Sequence, residues 1–240
     1  MSTNTKANLL NRAALAIDNS LADSGIRGAV AAYGYSEDKL REGRALLEAA
    51  QAAASAQLVA DGQQLQATAA FNQSLAVARE AYQTLAKLAR ATCDKPTLTT
   101  LGLVGSEPQN IGGFLKVAFD LFDNAPQVPA LADRFGYNAD KLAAERARVS
   151  ALQAADQTQE SFIGAAQKAT ARQQAAFKAL EAWLAEYLKI AKVALRADPQ
   201  QLEKIGVIAR TSPTAAHRAA RQKKTTPALS KVEEPAAPKP

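Results

Sequence analysis

Apolar residues recur every seven positions through two long stretches of this chain, residues 36 to about 92 and 138 to about 197, and neither stretch contains proline. The second stretch carries one series of Leu142, Val149, Ile163, Phe177 and Leu184 and another of Leu152, Ala166, Leu180 and Tyr187; the first carries Leu40, Leu47, Ala54, Leu75 and Tyr82. This pattern predicts two long amphipathic helices. Since neither helix buries its apolar stripe alone, we expect them to lie against each other.

Gly62 and Gly164 are the points at which either stretch would turn back into a hairpin. No proline or Asn-Gly pair surrounds them, and one glycine inside a helix costs only about 1 kcal/mol relative to alanine. We therefore predict continuous helices of nearly 57 residues, each about 85 Å long. A hairpin at each glycine stays open as the alternative, because helices of that length are rare.

The two stretches belong to a pattern that occurs twice, at an offset of about 102 residues, and the copies are clearest in YGYSEDKL and FGYNADKL. The sequence predicts one helical repeat in residues 1–108 and a second in 109–210. The turn-rich segment GSEPQNIGG separates them. We expect an elongated all-α bundle in which pseudo-twofold symmetry relates residues 8–108 to 113–210.

The repeated motif GY-S/N-x-D-K-L is typical of a helix start. Gly34 and Gly136 are placed to end a short helix, while Ser36 and Asn138 are good N-caps for the long ones. We expect a hydrophobic staple at each start, formed by Tyr35 with Leu40 and by Tyr137 with Leu142.

Short helices are also predicted at both ends of each repeat. The apolar faces of the opening helices are formed by Leu9, Leu10, Ala13 and Ile17 in the first repeat and by Phe114, Leu115, Phe119 and Phe122 in the second. Short closing helices begin at Asp94 and Asp198.

Composition favours the same fold class and says little about location. The 240 residues are 48% hydrophobic and 5% aromatic, and no strand-like alternation is present. The N-terminal residues lack the basic start and apolar core of a signal peptide, and no apolar run approaches the roughly 18 residues of a membrane span. We expect a cytoplasmic protein, and the single Cys93 is compatible with a reducing compartment.

The formal charge of +6 resides mostly in the C-terminal 30 residues. Residues 211–240 contain six basic and two acidic side chains, which leaves 23 basic and 21 acidic side chains in the rest. This segment is rich in Pro, Ala and Lys and is predicted to be a disordered tail. Its cluster of Arg218, Arg221, Lys223 and Lys224 is a candidate contact for nucleic acid or an anionic membrane surface. The alternative is a solubilising extension without a partner.

Motifs for catalysis, metal or cofactor binding are missing from the sequence. The one histidine, His217, falls in the tail, Cys93 has no nearby ligand, and neither a P-loop nor a dinucleotide fingerprint occurs. We therefore predict a protein that is not an enzyme and binds no cofactor or metal. The aromatic set of Phe177, Trp183 and Tyr187 is interpreted as core.

Polar residues interrupt the heptads near the middle of both stretches: Gln57, Asp61, Gln64, Asp156, Gln159, Thr170 and Gln173. If the helices are antiparallel, these residues meet and form a polar mid-bundle layer. Such a layer fixes helix register or faces solvent. The alternative interpretation is a site in which Asp61 and Asp156 hold a cation or polar ligand.

The duplicated GY-S/N-x-D-K-L motif, with ARATCDKP and LGLVG closing the first copy, resembles a group of bacterial duplicated all-helical proteins over residues 8–210. The resemblance implies the architecture and no activity. In composition alone, the chain is similar to the phasins, which coat storage granules with Ala-rich amphipathic helices. The sequence thus favours a scaffold or adaptor that binds protein partners or itself. A phasin-like granule or membrane-surface coat and a ligand-binding helical bundle are the alternatives.

Overall fold

A computed structural model describes residues 3–207, and within that range every regular element is a helix, as the sequence predicts. In chain order the elements are α1 (Thr3–Ala22), α2 (Ser24–Ala31), α3 (Glu37–Thr92), α4 (Lys95–Thr100), α5 (Ile111–Asn124), a 3-10 helix (Ala125–Gln127), α6 (Pro129–Phe135), α7 (Ala139–Ala194) and α8 (Pro199–Lys204).

Helices α3 and α7 are each continuous over 56 residues, which confirms the prediction of long uninterrupted helices. Gly62 and Gly164 lie within them, so the hairpin alternative is wrong. A Cβ built on either glycine meets no atom within 4 Å. Packing inside the chain therefore gives no reason for a glycine at these two positions.

The predicted caps are present at the starts of both long helices. The backbone N–H of Lys39 donates to Oγ of Ser36 at 3.4 Å, and that of Lys141 donates to Oδ1 of Asn138 at 2.9 Å. Gly136 ends α6 with a left-handed φ of 70°. Helix α2 ends at Ala31, slightly earlier than predicted, and the left-handed Gly34 follows in the connecting turn.

Two compact units divide the described residues differently from the predicted repeats. Unit 1 comprises residues 3–44 and 183–207, and unit 2 comprises residues 45–182. Each unit therefore combines segments of both repeats. The boundaries of 1–108 and 109–210 remain a statement about the sequence pattern.

Unit 1 packs around an aromatic cluster of Tyr35, Trp183 and Tyr187. The rings of Trp183 and Tyr187 are stacked with centroids 5.2 Å apart, and Tyr35 approaches Trp183 edge-on at 6.0 Å. The hydroxyl of Tyr187 hydrogen-bonds to that of the buried Ser20 in α1. Burial raises the pKa values of Tyr35 and Tyr187. Trp183 and Tyr187 are buried, as predicted, and so is Phe177 of the same predicted set.

Unit 2 buries α5 and α6 against the end of α3 and the beginning of α7. Tyr82 of α3 meets Phe114 of α5 edge-on, with ring centroids 5.5 Å apart. Leu85, Leu121 and Leu131 are fully or almost fully buried in the same cluster. This core is built from large side chains because three or more helices surround it.

The opening helices α1 and α5 bury residues at equivalent positions of the two repeats. The buried residues of α1 are Leu9, Ala13, Ala16, Ile17 and Ser20, and at an offset of 105 they correspond to Phe114, Ala118, Leu121, Phe122 and Ala125. Asp18 pairs with Arg44 in unit 1, as Asp123 pairs with Arg146 in unit 2. Phe119, which was predicted on the apolar face of α5, packs against the core of unit 2 and is half-buried beneath the guanidinium of Arg146.

The empty space around the mid-helix glycines generates a stability prediction. Gly62→Ala and Gly164→Ala should each raise the free energy of unfolding by about 1 kcal/mol, because alanine favours the helix and its Cβ meets nothing. Gly43→Ala is the matched control, since a Cβ there overlaps the indole ring of Trp183 and should cost about 1–3 kcal/mol. Urea denaturation measures all three. Destabilisation by Gly62→Ala or Gly164→Ala, measured at a protein concentration low enough to keep the chain monomeric, would show that α3 or α7 is not a regular helix there.

The capping geometry predicts the effect of losing each side-chain acceptor. Ser36→Ala and Asn138→Ala should each lower the free energy of unfolding by about 1 kcal/mol, the larger loss coming from Asn138, whose bond is shorter. Thermal and urea unfolding measure the loss. If either variant lost binding to a partner without any change in stability, the motif would be a recognition site and not a cap.

Candidate functional site

Three of the predicted polar residues meet between α3 and α7 within unit 2. The amide of Gln173 donates to Oε1 of Gln57 at 3.2 Å, and the amide of Gln57 in turn donates to the carboxylate of Asp61. Gln173 is only 5% exposed, which makes it one of the few buried polar side chains among the described residues. The chain Gln173–Gln57–Asp61 therefore satisfies polar groups that burial would otherwise penalise.

A second hydrogen bond shows the direction in which the two helices run within unit 2. The amide of Gln159 donates to Oγ1 of Thr68 at 3.3 Å. Since Gln57 pairs with Gln173 and the later Thr68 pairs with the earlier Gln159, α3 and α7 are antiparallel here, as the sequence analysis assumed. Thr68 was missed, although it falls in the same heptad series as Ala54, Asp61 and Leu75.

A groove of about 370 Å³ adjoins this polar layer. Its walls are Asp61 and Gln64 from α3, and Ile163, Ala166, Gln167, Thr170, Ala171 and Gln174 from α7. The walls present one carboxylate, three amides and one hydroxyl between apolar side chains. Such a surface accommodates a polar uncharged group, or an amine placed opposite Asp61.

The remaining predicted site residues do not join this groove. Asp156 is half-buried and lies outside the groove walls, so the structure does not bring it together with Asp61 as a paired carboxylate site. The basic cluster of Arg218, Arg221, Lys223 and Lys224 lies outside the described residues. Within residues 3–207, no group of three or more His, Cys, Asp or Glu side chains is arranged to hold a metal ion.

Sequence reasoning also missed a patch of exposed apolar side chains on α3, which we call the apolar strip and define as Leu58, Val59, Gly62 and Leu65. Leu58 is 71% exposed, Val59 is 60% exposed and Leu65 is 73% exposed. The heptad pattern concealed this patch because these residues fall between the positions that face α7. Single exposed apolar residues are normal on a protein surface, but here three large ones are exposed within eight positions of one helix.

Comparison with models of protein families, with curated proteins and with solved structures found no match for this chain. Among the helices of residues 3–207, none has the combination of length and apolarity required to cross a membrane. The functional argument therefore rests on the groove, the polar layer and the apolar strip.

The hydrogen bond between Gln57 and Gln173 generates a prediction about the polar layer. Gln57→Leu should lower the free energy of unfolding by about 1 kcal/mol, because it removes an acceptor from a buried amide. The double variant with Gln173→Leu should recover most of that loss, giving a coupling energy of about 1 kcal/mol in a double-mutant cycle. Gln51→Leu, at an exposed position of the same helix, is the matched control and should change stability little. Additive losses would mean that the two amides do not interact.

Proposed function

We propose that this protein is a non-enzymatic helical scaffold or adaptor that acts through protein–protein contacts along its long helices. The observation that carries the proposal is the apolar strip, where Leu58, Val59 and Leu65 remain exposed on one helix. Burial of such side chains against a partner releases them from water, and this gives the protein a driving force for association. The tail is proposed to recruit an anionic partner, and two copies of one ancestral unit are proposed to form the body.

The burial pattern of the short helices supports a scaffold over the alternative of a phasin-like surface coat. A coat needs broad apolar faces that it can lay on a granule or membrane. In α5, Phe114, Leu115, Ala118, Leu121 and Phe122 are all buried inside unit 2. The amphipathic face best suited to a surface is therefore already occupied by the protein's own core.

A ligand-binding bundle is the second candidate, and the groove beside Asp61 is the observation in its favour. The groove has space for a small polar molecule. Its carboxylate is partly used within the protein, however, because Gln57 donates to Asp61. This favours a structural use of the layer.

Capture of partners from a lysate of the source cell tests the scaffold proposal. The full chain and a version ending at Arg210 serve as baits at low and high salt. If the folded body is the scaffold, both baits should retain the same proteins at high salt, because apolar contacts are little affected by screening. A matched bait carrying Leu58→Gln and Leu65→Gln shows which partners need the strip. The proposal fails if no protein is retained above an unrelated helical bait.

The tail gives a separate prediction that concerns its four clustered basic residues. Binding of the full chain to nucleic acid or acidic lipid vesicles should be weak, insensitive to base sequence and steeply reduced by salt. Changing Arg218, Arg221, Lys223 and Lys224 to Ala should abolish it, while the melting temperature stays the same. Fluorescence anisotropy against salt concentration measures the effect. Equal binding by the full chain and the version ending at Arg210 would place the anionic site on the folded body.

A further inference from the structure

We propose that a second copy of this chain docks on the apolar strip, in an antiparallel contact between the two α3 helices that is centred on Gly62. The inference rests on the proposed scaffold function and names a partner for it. Four features of the described residues carry it: exposure, helical spacing, an unexplained glycine and an unusual lack of charge.

The exposed side chains share one side of α3. Leu58, Gly62 and Leu65 are spaced by four and three residues, so they form a continuous row on the helix surface, with Val59 beside it. The side chains of Leu58 and Leu65 are each more than 70% exposed. Nothing within unit 2 therefore covers this row.

Gly62 lies at the middle of the row and has no role in the packing of its own chain. A Cβ at this position meets no atom within 4 Å, and the residue lies inside a regular helix. Glycine at this position destabilises the helix, and no contact within the chain compensates for that loss. It does remove the side chain that would hold a second helix away, so the backbones of two copies can approach closely between Leu58 and Leu65.

The charge pattern favours a second copy as the occupant. Residues 49–78 contain a single charged side chain, Asp61. A twofold contact brings a charge that lies close to the symmetry axis near its own mate, so like charges at the centre of such a contact repel each other. A nearly uncharged surface 30 residues long avoids this penalty. It offers little charge with which to select a different, oppositely charged partner.

The register of the contact follows from the symmetry. An antiparallel pair of helices centred on Gly62 places Val59 opposite Leu65 of the second copy, and Leu65 opposite Val59 of the second copy. Both apolar pairs form at once, which is the property of an isologous interface.

Disulfide trapping at the centre of the contact is the first test. Gly62→Cys in a Cys93→Ser background places a thiol at the twofold axis, and the space around Gly62 accepts the side chain. Under mild oxidation it should form a covalent dimer at least about tenfold faster than Val104→Cys in the same background. Val104 is the matched control because it is 71% exposed and lies outside the strip. Equal rates at the two positions would overturn the proposed contact.

Sedimentation equilibrium of the full chain is the second test. Wild type should associate reversibly to a dimer, and Leu58→Gln with Leu65→Gln should weaken it by at least about tenfold. Val104→Gln should leave it unchanged. Circular dichroism shows that each variant keeps its helices.

The outcomes separate this inference from the scaffold function. A full chain that stays monomeric over the whole concentration range overturns the second copy as partner, whereas the scaffold function fails only if the full chain also captures no other protein. If the strip variants still dimerise as wild type does, the apolar strip is not the contact surface, although the chain does associate with itself.

Discussion

A 56-residue helix with an apolar stripe along one side must pack that stripe against something, and each long helix meets this requirement by lying along the other within each compact unit. This burial is the constraint that shapes the rest of the fold. Within unit 2 the number of buried residues varies along α3. Six of the twelve residues in 78–89 are buried, where α5 covers the helix, whereas only Ala60 and Ala67 are buried in 57–68. Large core residues accumulate where a third helix is available, and alanine and glutamine occupy the stretch where it is not.

That sparse stretch explains why the polar layer occurs where it does. Two helices alone leave their contact partly open to water, so long apolar residues would gain little burial there. Glutamine pairs such as Gln57 with Gln173 fit this environment, because each amide both donates and accepts. They also restrict sliding of α3 past α7, since a shift by one turn would separate the amide of Gln173 from the oxygen of Gln57. Small apolar side chains such as Ala60 and Ala67 impose no such restriction, so the polar contacts are the more specific part of this packing.

The sequence was sufficient for features that depend on neighbouring residues and insufficient for those that depend on tertiary register. Ser36 and Asn138 were identified as caps because a cap acts within three residues of itself. The continuity of α3 through Gly62 was predictable because no turn-forming residues accompany that glycine. In contrast, nothing local distinguishes Phe119 from Ala118 as the buried residue of α5, and the docking angle of that helix decides it. Thr68 and the apolar strip were missed for the same reason: their environment is set by where α7 lies.

The same lack of covering helices links the two candidate surfaces of α3. Asp61 faces the groove beside α7, while Leu58 and Leu65, three residues before it and four after it, remain in water. A stable monomer does not require exposed leucines at these positions, and replacing them with glutamine would extend the pattern of the surrounding helix. Their presence where the protein's own core is thinnest is the basis of our proposal that an additional helix packs there from outside. An intermolecular contact there would restore the third helix that α5 supplies elsewhere in unit 2, and it would couple the stability of this stretch to association, because binding to the folded form alone stabilises it.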